Sequence, residues 1–317
     1  MGEGRLRCAV IGAANIDIGG FPAGRLSMQD SSPGKVRLSA GGVGRNIACN
    51  LAQLGIQTRL IAPLGTDSFA DIVRADCARA GVDTSLCLTF EGEASSSYLF
   101  IADAGGDMQL AVNDMGICDR LTPEALQGIL PELDAMDAVV LDANLPAATL
   151  EYLAGRLDVP LVADAVSTAK APRLLGAMGK LAAVKPNAIE AETLTGIPVH
   201  GPDSAARAAA RLVELGARRA FITLGERGVC CADGGGTLFL PGGAVRMVNA
   251  TGAGDAFTAA LTWALARGCG LRDCAAAGLA AASIAVESME TVSPETSEQA
   301  VRARMALIAD PQAQDAR

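Results

Sequence analysis

The most informative stretch of this 317-residue sequence is NATGAGD at positions 249–255, because a helical pattern of apolar residues follows it. A glycine-rich turn that opens a helix presents unpaired backbone N–H groups and the positive end of the helix dipole, which together suit an anion. Asp255, beside such an anion, can orient an alcohol and accept its proton as the hydroxyl attacks phosphorus. A glycine turn with a helix-capping Asp also occurs without any function, but the complete string and the small-faced helix behind it favour catalysis.

A second cluster lies in KPNAIEAE at positions 185–192, after a strand-like segment and at the start of a helical one. Asn187 and Glu190 are three residues apart and therefore share one helix face. There they can hold a water-coordinated Mg²⁺ against the phosphates of ATP, since Mg²⁺ keeps several waters and needs few protein ligands. The alternative is an ordinary helix N-terminus enriched in acidic residues.

A third cluster is GGVGRNIA at positions 41–48, again a glycine-rich loop that leads into a helix, together with Asn15 and Asp17 after the first predicted strand. Amide and carboxylate side chains at strand ends suit the vicinal hydroxyls of a sugar. A dinucleotide-type turn is disfavoured, because no GxGxxG follows the first strand. Arg45, within the loop, either faces the site or pairs with a surface acid.

Six apolar runs alternate with helical stretches and predict the elements that position these side chains. The predicted strands span residues 7–11, 58–62, 138–141, 161–163, 181–184 and 220–223. The predicted helices span residues 47–54, 69–80, 123–130, 147–157, 188–194 and 204–215. Continuous apolar strands between helices indicate an α/β fold, with a mostly parallel sheet covered by helices on both faces.

Two segments depart from this alternation. Residues 83–114 are predicted to form three strands, and residues 16–38 are extended and rich in turn residues. We expect both to form a small β-sheet lid inserted in a single domain that spans residues 1–317. Such a lid can close over a substrate or pair with a second subunit.

The composition excludes several classes of function. A net charge of −9 and only 3% aromatic residues argue against nucleic acid as a partner. The single His, His200, excludes His-based triads and multi-His metal sites. The nine cysteines are scattered and odd in number, which indicates reduced thiols. Because no apolar run of about 18 residues and no signal-peptide pattern is present, we expect a cytoplasmic protein without membrane contact.

Five motifs occur in an order that resembles the ribokinase-like, or PfkB-type, carbohydrate kinase family, and they extend over almost the whole chain. They are NxD at 15–17, GGxxxNxA at 41–48, NxxE at 187–190, TxGxxG at 223–228 and TGAGD at 251–255. Five ordered motifs are far more specific than any one of them. The resemblance implies the ribokinase-like fold with its small lid, and transfer of the γ-phosphate of ATP to an alcohol.

The same resemblance implies a role for each matching residue. Asp255 is implied as the general base, and Asn187 and Glu190 as the residues that organise Mg²⁺ and ATP. The amides implied in the anion hole are those of Gly252, Ala253 and Gly254. The residues implied in nucleotide binding are Asn187, Thr223, Gly225, Gly228, Gly252 and Gly254. The residues implied in sugar binding are Asn15, Asp17, Gly41, Gly42 and Asn46.

Within the family, three strings are most similar to the pseudouridine kinases: SPGK at 32–35 before the glycine loop, AVNDM at 111–115, and DAVS at 164–167 with Lys170. This narrower resemblance implies phosphorylation of the 5′-hydroxyl of pseudouridine, with Ser95 to Ser97 and Asn113 contacting the uracil edge. Asn144 matches a position where ribokinases carry an acid that touches the sugar. Lys170 either balances phosphate charge or is a solvated lysine at a helix start.

Other functions stay open at this point. The substrate can be another nucleoside or a free sugar such as ribose or fructose, because the ATP half of the site would be the same. A non-catalytic protein that senses sugars or nucleosides would share the fold, but it would not need Asp255.

Two further features follow from the resemblance. Many relatives have Asp-Thr-Thr before Gly-Ala-Gly-Asp, and their first Asp helps to bind potassium. Here Asn249 and Thr251 mark that K⁺ site, with an amide in place of the carboxylate. The lid of the family often makes the dimer contact, which implies a homodimer.

Overall fold

The computed structural model describes residues 5–27, 29–103, 105 and 107–309. The other positions of the predicted domain lie outside the described residues, and these include 28, 104 and 106 within the two predicted lid segments.

The strands and helices are numbered in chain order. The strands are β1 (Arg7–Ile11), β2 (Asn15–Pro22), β3 (Gly34–Gly41), β4 (Gln57–Ile61), β5 (Pro63–Leu64), β6 (Leu88–Thr89), β7 (Ser97–Ala102), β8 (Met108–Asp114), β9 (Ala138–Asp142), β10 (Leu161–Asp164), β11 (Ala183–Lys185), β12 (Arg219–Thr223), β13 (Gly228–Asp233) and β14 (Gly236–Pro241). The α-helices are α1 (Val43–Gln53), α2 (Ser68–Arg79), α3 (Pro123–Leu126), α4 (Leu130–Asp134), α5 (Ala147–Arg156), α6 (Ala188–Thr195), α7 (Pro202–Glu214), α8 (Ala253–Ala266), α9 (Leu271–Val286) and α10 (Glu298–Ala309). A 3₁₀ helix, Ala171–Lys180, lies between β10 and β11.

The central sheet has eight strands in the order β14-β13-β12-β11-β10-β9-β1-β4. The strands from β12 to β4 are parallel, whereas β13 and β14 are antiparallel. One apolar core joins the sheet to α1, α2, α8 and α9, and a second joins its other face to α5, α6, α7 and the 3₁₀ helix. Every residue of β9 and β10 is buried, because helices cover both faces of the parallel sheet. This burial on both sides explains why the sequences of these strands are continuously apolar up to their last residue. The predicted α/β fold is therefore confirmed.

The sequence pattern missed several features of this layer, including helix α9. The hairpin of β13 and β14 was not predicted, because glycines at 228 and at 234–236 interrupt its apolar run. The helix predicted at 123–130 is instead α3, a short 3₁₀ turn and α4. Pro131 stands in the first turn of α4, where a new helix start tolerates it.

A second sheet of four strands, in the order β3-β2-β7-β8, stands beside the central one. It is built from the two segments that the sequence marks as a lid, with one difference. Of the three strands predicted in 83–114, the first is only Leu88–Thr89, and it pairs with Pro63–Leu64 in a separate two-stranded sheet. The strand β7 pairs with β2, and β8 pairs with β7 at the edge of this sheet.

None of the helices in the described part of the chain has the length and apolar content needed to cross a membrane.

Candidate active site

The segment after β14 positions the start of helix α8. Gly252 is the N-cap residue with φ +84°, and a Cβ there would lie 2.0 Å from the carbonyl oxygen of Thr291, so only glycine fits. Ala253 and Gly254 form the first turn of α8, where the first N–H groups of a helix lack intrahelical partners. This turn can therefore accept anionic oxygens at the positive end of a helix of 14 residues.

Asp255 follows in the same helical turn and is half-buried. The amide Nδ2 of Asn46 donates to its Oδ2 at 2.8 Å. Burial, and then the nearby Asp164, raise the pKa of Asp255 to about 7, against the opposing effects of Asn46 and Lys185. Among the described residues no donor contacts its Oδ1. A carboxylate with a pKa near neutrality and one oxygen left for an alcohol has the properties of a general base.

Three charged side chains stand at the carboxyl ends of adjacent parallel strands beside Asp255. Asp142, Asp164 and Lys185 are paired across β9, β10 and β11 in one row. Lys185 Nζ lies 3.1 Å from Asp164 Oδ2, and both side chains are almost fully buried. Burial lowers the pKa of Lys185, but Asp164, Glu190 and Asp255 outweigh this effect and raise it overall. The ammonium is therefore charged and lies among three carboxylates.

The ammonium of Lys185 also approaches the first turn of α8. A Cβ built on Gly254 would lie 3.0 Å from Lys185 Nζ, so the glycine leaves room for the lysine. On the other side, the hydroxyl of Thr258 donates to Asp164 Oδ2 at 2.6 Å. The carboxylate of Asp164 is thus fixed between a lysine and a threonine, and the positive charge of Lys185 adds to that of the helix start.

Asp142 is completely buried and is held by backbone donors. The N–H of Ala13 donates to Oδ2 and the N–H of Asn144 donates to Oδ1, each at 2.8 Å. Burial raises the pKa of Asp142 to about 6, although these two N–H groups oppose the shift. Gly12 is required here, because a Cβ on it would lie 2.2 Å from Asp142 Oδ2.

The predicted sugar-binding residues come together at the base of the second sheet. Asn15 Nδ2 donates to Asp17 Oδ1 at 2.7 Å, and Asn15 is paired with Gly41 in the β2–β3 ladder. A Cβ on Gly41 would lie 2.3 Å from Asp17 Oδ2, so the carboxylate lies directly over this glycine. Gly42, at φ +96°, caps α1, which carries Asn46. The structure thus brings all five predicted residues into two adjoining segments.

Two of the predicted uracil contacts, Ser97 and Asn113, lie on opposite faces of the second sheet, whereas Ser95 and Ser96 are almost fully buried just before β7. Asp17 is paired with Tyr98, and Tyr98 with Asn113, so these three side chains share a face. Ser97 is paired with Ile16 and lies on the other face. Asn113 therefore shares the face of Asp17, a predicted sugar-binding residue, whereas Ser97 does not.

Asn144 and Lys170 are brought into direct contact. Lys170 Nζ donates to Asn144 Oδ1, and Asn144 is almost fully buried next to Asp142. The backbone carbonyl of Asn144 accepts from Arg173 at 2.9 Å. Lys170 is thus a partly buried cation tied to the site rather than a solvated lysine.

Asn187 and Glu190 form a capping box at the start of α6. Asn187 Oδ1 accepts from the N–H of Glu190, while Glu190 Oε2 accepts from the N–H of Asn187 at 2.8 Å. Glu190 Oε1 also accepts from Asn187 Nδ2 at 2.9 Å. Burial raises the pKa of Glu190, and Asn187 and Lys185 oppose this shift. The two side chains are held rigidly at the end of β11.

The remaining predicted nucleotide residues lie next to this capping box. Thr223 ends β12 and forms a β-bridge with Asn187. Gly225 and Gly228 both have positive φ, and a Cβ on Gly228 would lie 2.1 Å from the carbonyl oxygen of Leu240. The TxGxxG motif is thus a tight turn from β12 into β13, at the same edge of the sheet as α6.

Asn249 and Thr251 lie in the segment that leads into α8. Asn249 Oδ1 accepts from the N–H of Thr251 at 2.9 Å, and Asn249 Nδ2 donates to the carbonyl of Met289 at 3.2 Å. The N–H of Asn249 donates to the carbonyl of Val286 at 3.1 Å. The amide therefore ties this segment to the loop after α9.

Comparison with known proteins identifies the family. The sequence model described as pfkB family carbohydrate kinase matches residues 5–298. The chain belongs to this family. The resemblance noted in the motifs is thereby confirmed, and it places the chain among carbohydrate and nucleoside kinases, which are phosphotransferases with an alcohol as the acceptor.

Three similar proteins illustrate the range of the family. The kinase is 36% identical over 254 residues to a pseudouridine kinase of Escherichia coli strain K12. This alignment covers 80% of the present chain and 81% of the E. coli protein. A solved carbohydrate kinase from Agrobacterium tumefaciens has a TM-score of 0.86 at 32% identity and covers 95% of this chain and 97% of its own. The structure of Arabidopsis thaliana ribokinase with ribose and ATP has a TM-score of 0.84 at 22% identity. The superposition covers 95% of the present chain and 99% of the ribokinase chain, and at this identity it shows only that the fold is shared.

Sequence reasoning gave no role to three residues of the kinase that lie at or beside the site, Asp142, Asp164 and Lys185, and it left Arg45 open between the site and a surface acid. Asp142, Asp164 and Lys185 each end a buried parallel strand, and the crevice at the carboxyl ends of such strands is the usual place for a ligand. A polar residue that ends an apolar strand was therefore the available signal.

Proposed function

We propose that this kinase transfers the γ-phosphate of ATP to the 5′-hydroxyl of pseudouridine, with Asp255 as the general base. The observation that carries the mechanism is the position of Asp255, whose pKa is about 7 and whose half-buried side chain lies at a helix start where the first N–H groups have no partner within the helix. The substrate is supported by 36% identity to a pseudouridine kinase over 80% of the chain.

In this mechanism the 5′-hydroxyl donates a hydrogen bond to Asp255 Oδ1. Its oxygen attacks the γ-phosphorus, the bond from the γ-phosphorus to the β,γ-bridging oxygen breaks, and ADP leaves as the proton passes to Asp255. The N–H groups of Gly252, Ala253 and Gly254 face the charge that develops on the phosphoryl oxygens. Lys185, which lies against Gly254, adds a fixed positive charge on the same side.

ATP enters with Mg²⁺, and the nucleotide side of the site offers oxygen donors that such a hard cation prefers. Asn187 and Glu190 are fixed by their mutual hydrogen bonds, and each carboxylate oxygen of Glu190 accepts one bond in the capping box. The second lone pair of each oxygen can accept from a water on Mg²⁺. Thr223, Gly225 and Gly228 are proposed to line the nucleotide beside this pair.

The sugar is proposed to bind at Asn15, Asp17 and Asn46. Gly41 and Gly42 lie beneath these residues, because a side chain at either glycine would collide with Asp17 or with the backbone of Ala13. Asn144, held by Lys170, is proposed to contact a ribose hydroxyl or the transferred phosphate.

For the uracil edge, Asn113 is the better candidate, because its side chain is on the same face of the second sheet as Asp17. Ser97 is on the opposite face, so it could contact the uracil only if strand β7 were rotated. A K⁺ ion is proposed near Asn249 and Thr251, where backbone carbonyls would supply most of the ligands.

A homodimer through the second sheet is the proposed assembly. One face of this sheet is apolar and exposed, with Val36 at 69%, Leu38 at 53% and Val112 at 68% exposure. Leu99 and Leu110 continue the same face. An apolar patch of this kind marks an interaction site, and the same face of a second copy is self-complementary.

The test of the acceptor is the release of ADP from Mg-ATP by purified protein, measured in parallel with pseudouridine, uridine, adenosine, ribose and fructose. The expected result is a kcat/KM for pseudouridine at least ten times that for each other acceptor. A higher value for another acceptor would keep the kinase and reject pseudouridine. Asp255→Asn is the matched control, and ADP release by this variant at the wild-type rate would reject the proposed base.

A further inference from the structure

A buried arginine lies one residue before Asn46, and the mechanism so far gives it no part. Arg45 in α1 is only 8% exposed. Its guanidinium pairs with Asp76 of α2 through Nη2 and donates from Nη1 to Asn46 Oδ1 at 2.8 Å. A buried cation is costly unless it is paired. Nη1 and Nη2 of Arg45 are paired, whereas its buried Nε has no partner among the described residues, so the two Nη groups hold the side chain against Asp76 and Asn46.

The amide of Asn46 has two possible orientations, and they are not equivalent. In the observed orientation Oδ1 accepts from Arg45 and Nδ2 donates to Asp255 Oδ2 at 2.8 Å. The reversed orientation would place the NH₂ group against the guanidinium and the carbonyl oxygen against the carboxylate. Both contacts would then be repulsive.

We propose that Arg45 is a positioning residue for phosphoryl transfer, which holds the amide of Asn46 in the orientation that donates to Asp255. The inference rests on the proposed role of Asp255 as the base. Asp76 completes the device, because its carboxylate holds the guanidinium from the far side. Arg79 also pairs with Asp76, at 2.7 Å, but its side chain is 76% exposed and does not contact Asn46.

The amide acts on Asp255 against several other charged groups. Asp164 and Asp142, from the ends of β10 and β9, raise the pKa of Asp255, whereas Lys185 from β11 lowers it. Asn46 is the contribution of α1, and its hydrogen bond also lowers the pKa. If Arg45 no longer holds the amide, this bond weakens and the pKa of Asp255 rises further.

The direct test is Arg45→Lys. Lysine keeps the positive charge beside Asp76, but its single ammonium cannot reach Asp76 and Asn46 in the manner of a forked guanidinium. We expect kcat at pH 6 to fall by about 3- to 10-fold, with the loss shrinking above about pH 8, because a rise of one in the pKa reduces the ionised fraction about tenfold at low pH. The KM for ATP is expected to be unchanged, because Arg45 contacts no predicted nucleotide residue.

Arg79→Gln is the matched control, since it removes a cation from the same carboxylate without touching the amide. It is expected to leave the pH profile unchanged. If Arg45→Lys does not fold, Asp76→Asn takes its place, and a smaller shift of the acidic limb to higher pH is expected. A wild-type acidic limb in the folded Arg45→Lys or Asp76→Asn variant overturns the proposal, as does an equal shift in Arg79→Gln.

Failure of this inference and failure of the proposed mechanism give different results. If Asp255→Asn keeps its activity, the base itself is wrong. If Asp255→Asn is inactive and Arg45→Lys has the wild-type pH profile, only the role of Arg45 is wrong.

Discussion

Replacement of the proposed base should make the kinase more stable while it removes the activity. Asp255→Asn keeps the size of the side chain and an acceptor for Asn46, but it removes the ionisation. Burial and Asp164 raise the pKa of Asp255 from 3.8 to about 7, so the folded protein is destabilised by the ionised carboxylate. As the general base it should also account for about 10²- to 10⁴-fold in rate.

The size of the gain follows from this shift of the pKa. A shift of this size corresponds to about 4 kcal/mol at most, at about 1.4 kcal/mol for each factor of ten in acidity. Because Asp255 is only half-buried, solvent screens part of this cost, and we expect a gain of about 1–3 kcal/mol above pH 7. Since an acid with a raised pKa destabilises the fold only when it is ionised, the gain should shrink as the pH falls from about 7 to about 4.

The assay is urea unfolding of the wild-type protein and of Asp255→Asn at pH 5 and pH 8, with the slope of each transition compared to establish two-state behaviour. Asp158→Asn, at an exposed position, is the control and should change stability by less than about 0.5 kcal/mol. A gain of equal size at both pH values, or a loss of stability at pH 8, would refute the reasoning.

Two further predictions concern the start of α8 and the proposed dimer. Gly252→Ala should destabilise the protein by at least about 2 kcal/mol and abolish ADP release, because φ is +84° and the new Cβ would meet the carbonyl of Thr291. The control is Gly234→Ala, which has open space around it and should leave the thermal unfolding temperature unchanged. Val112→Asp on the apolar face of the second sheet should convert the dimer to a monomer in light scattering; Ala111→Asp, the neighbour on the opposite face, should not, and a dimeric Val112→Asp protein would place the interface elsewhere.

The parts of the fold that the sequence could predict are those in which the local pattern and the three-dimensional environment agree. The continuous apolar strands β9 and β10 are buried on both faces, and the glycine-rich string before α8 forms the helix start that its residues favour. Asn187 and Glu190 form the cap that acidic residues at a helix start often make, and the proposed contact with Mg-ATP uses the lone pairs of Glu190 outside this cap.

The parts that could not be predicted depend on which segments become neighbours. Lys185 and Asp164 are 21 positions apart in sequence, and only the order of the parallel strands brings their charges to 3.1 Å. Arg45 could be assigned either to the site or to an acid, and the structure shows both, since one guanidinium contacts Asn46 and Asp76. No pattern within α1 reports the position of Asp76 in α2.

The row formed by Asp142, Asp164 and Lys185 has a consequence for how the central sheet assembles. Parallel apolar strands are poorly aligned by their side chains alone, because a Val or Ala fits almost any position along a neighbouring strand. A shift of β10 by one residue would move the carboxylate of Asp164 away from Lys185 and leave a buried charge without its partner, at a cost of about 3–5 kcal/mol. The charges beside the proposed base thus also fix the register of the parallel strands, so that a chain with misaligned strands would be unstable as well as inactive.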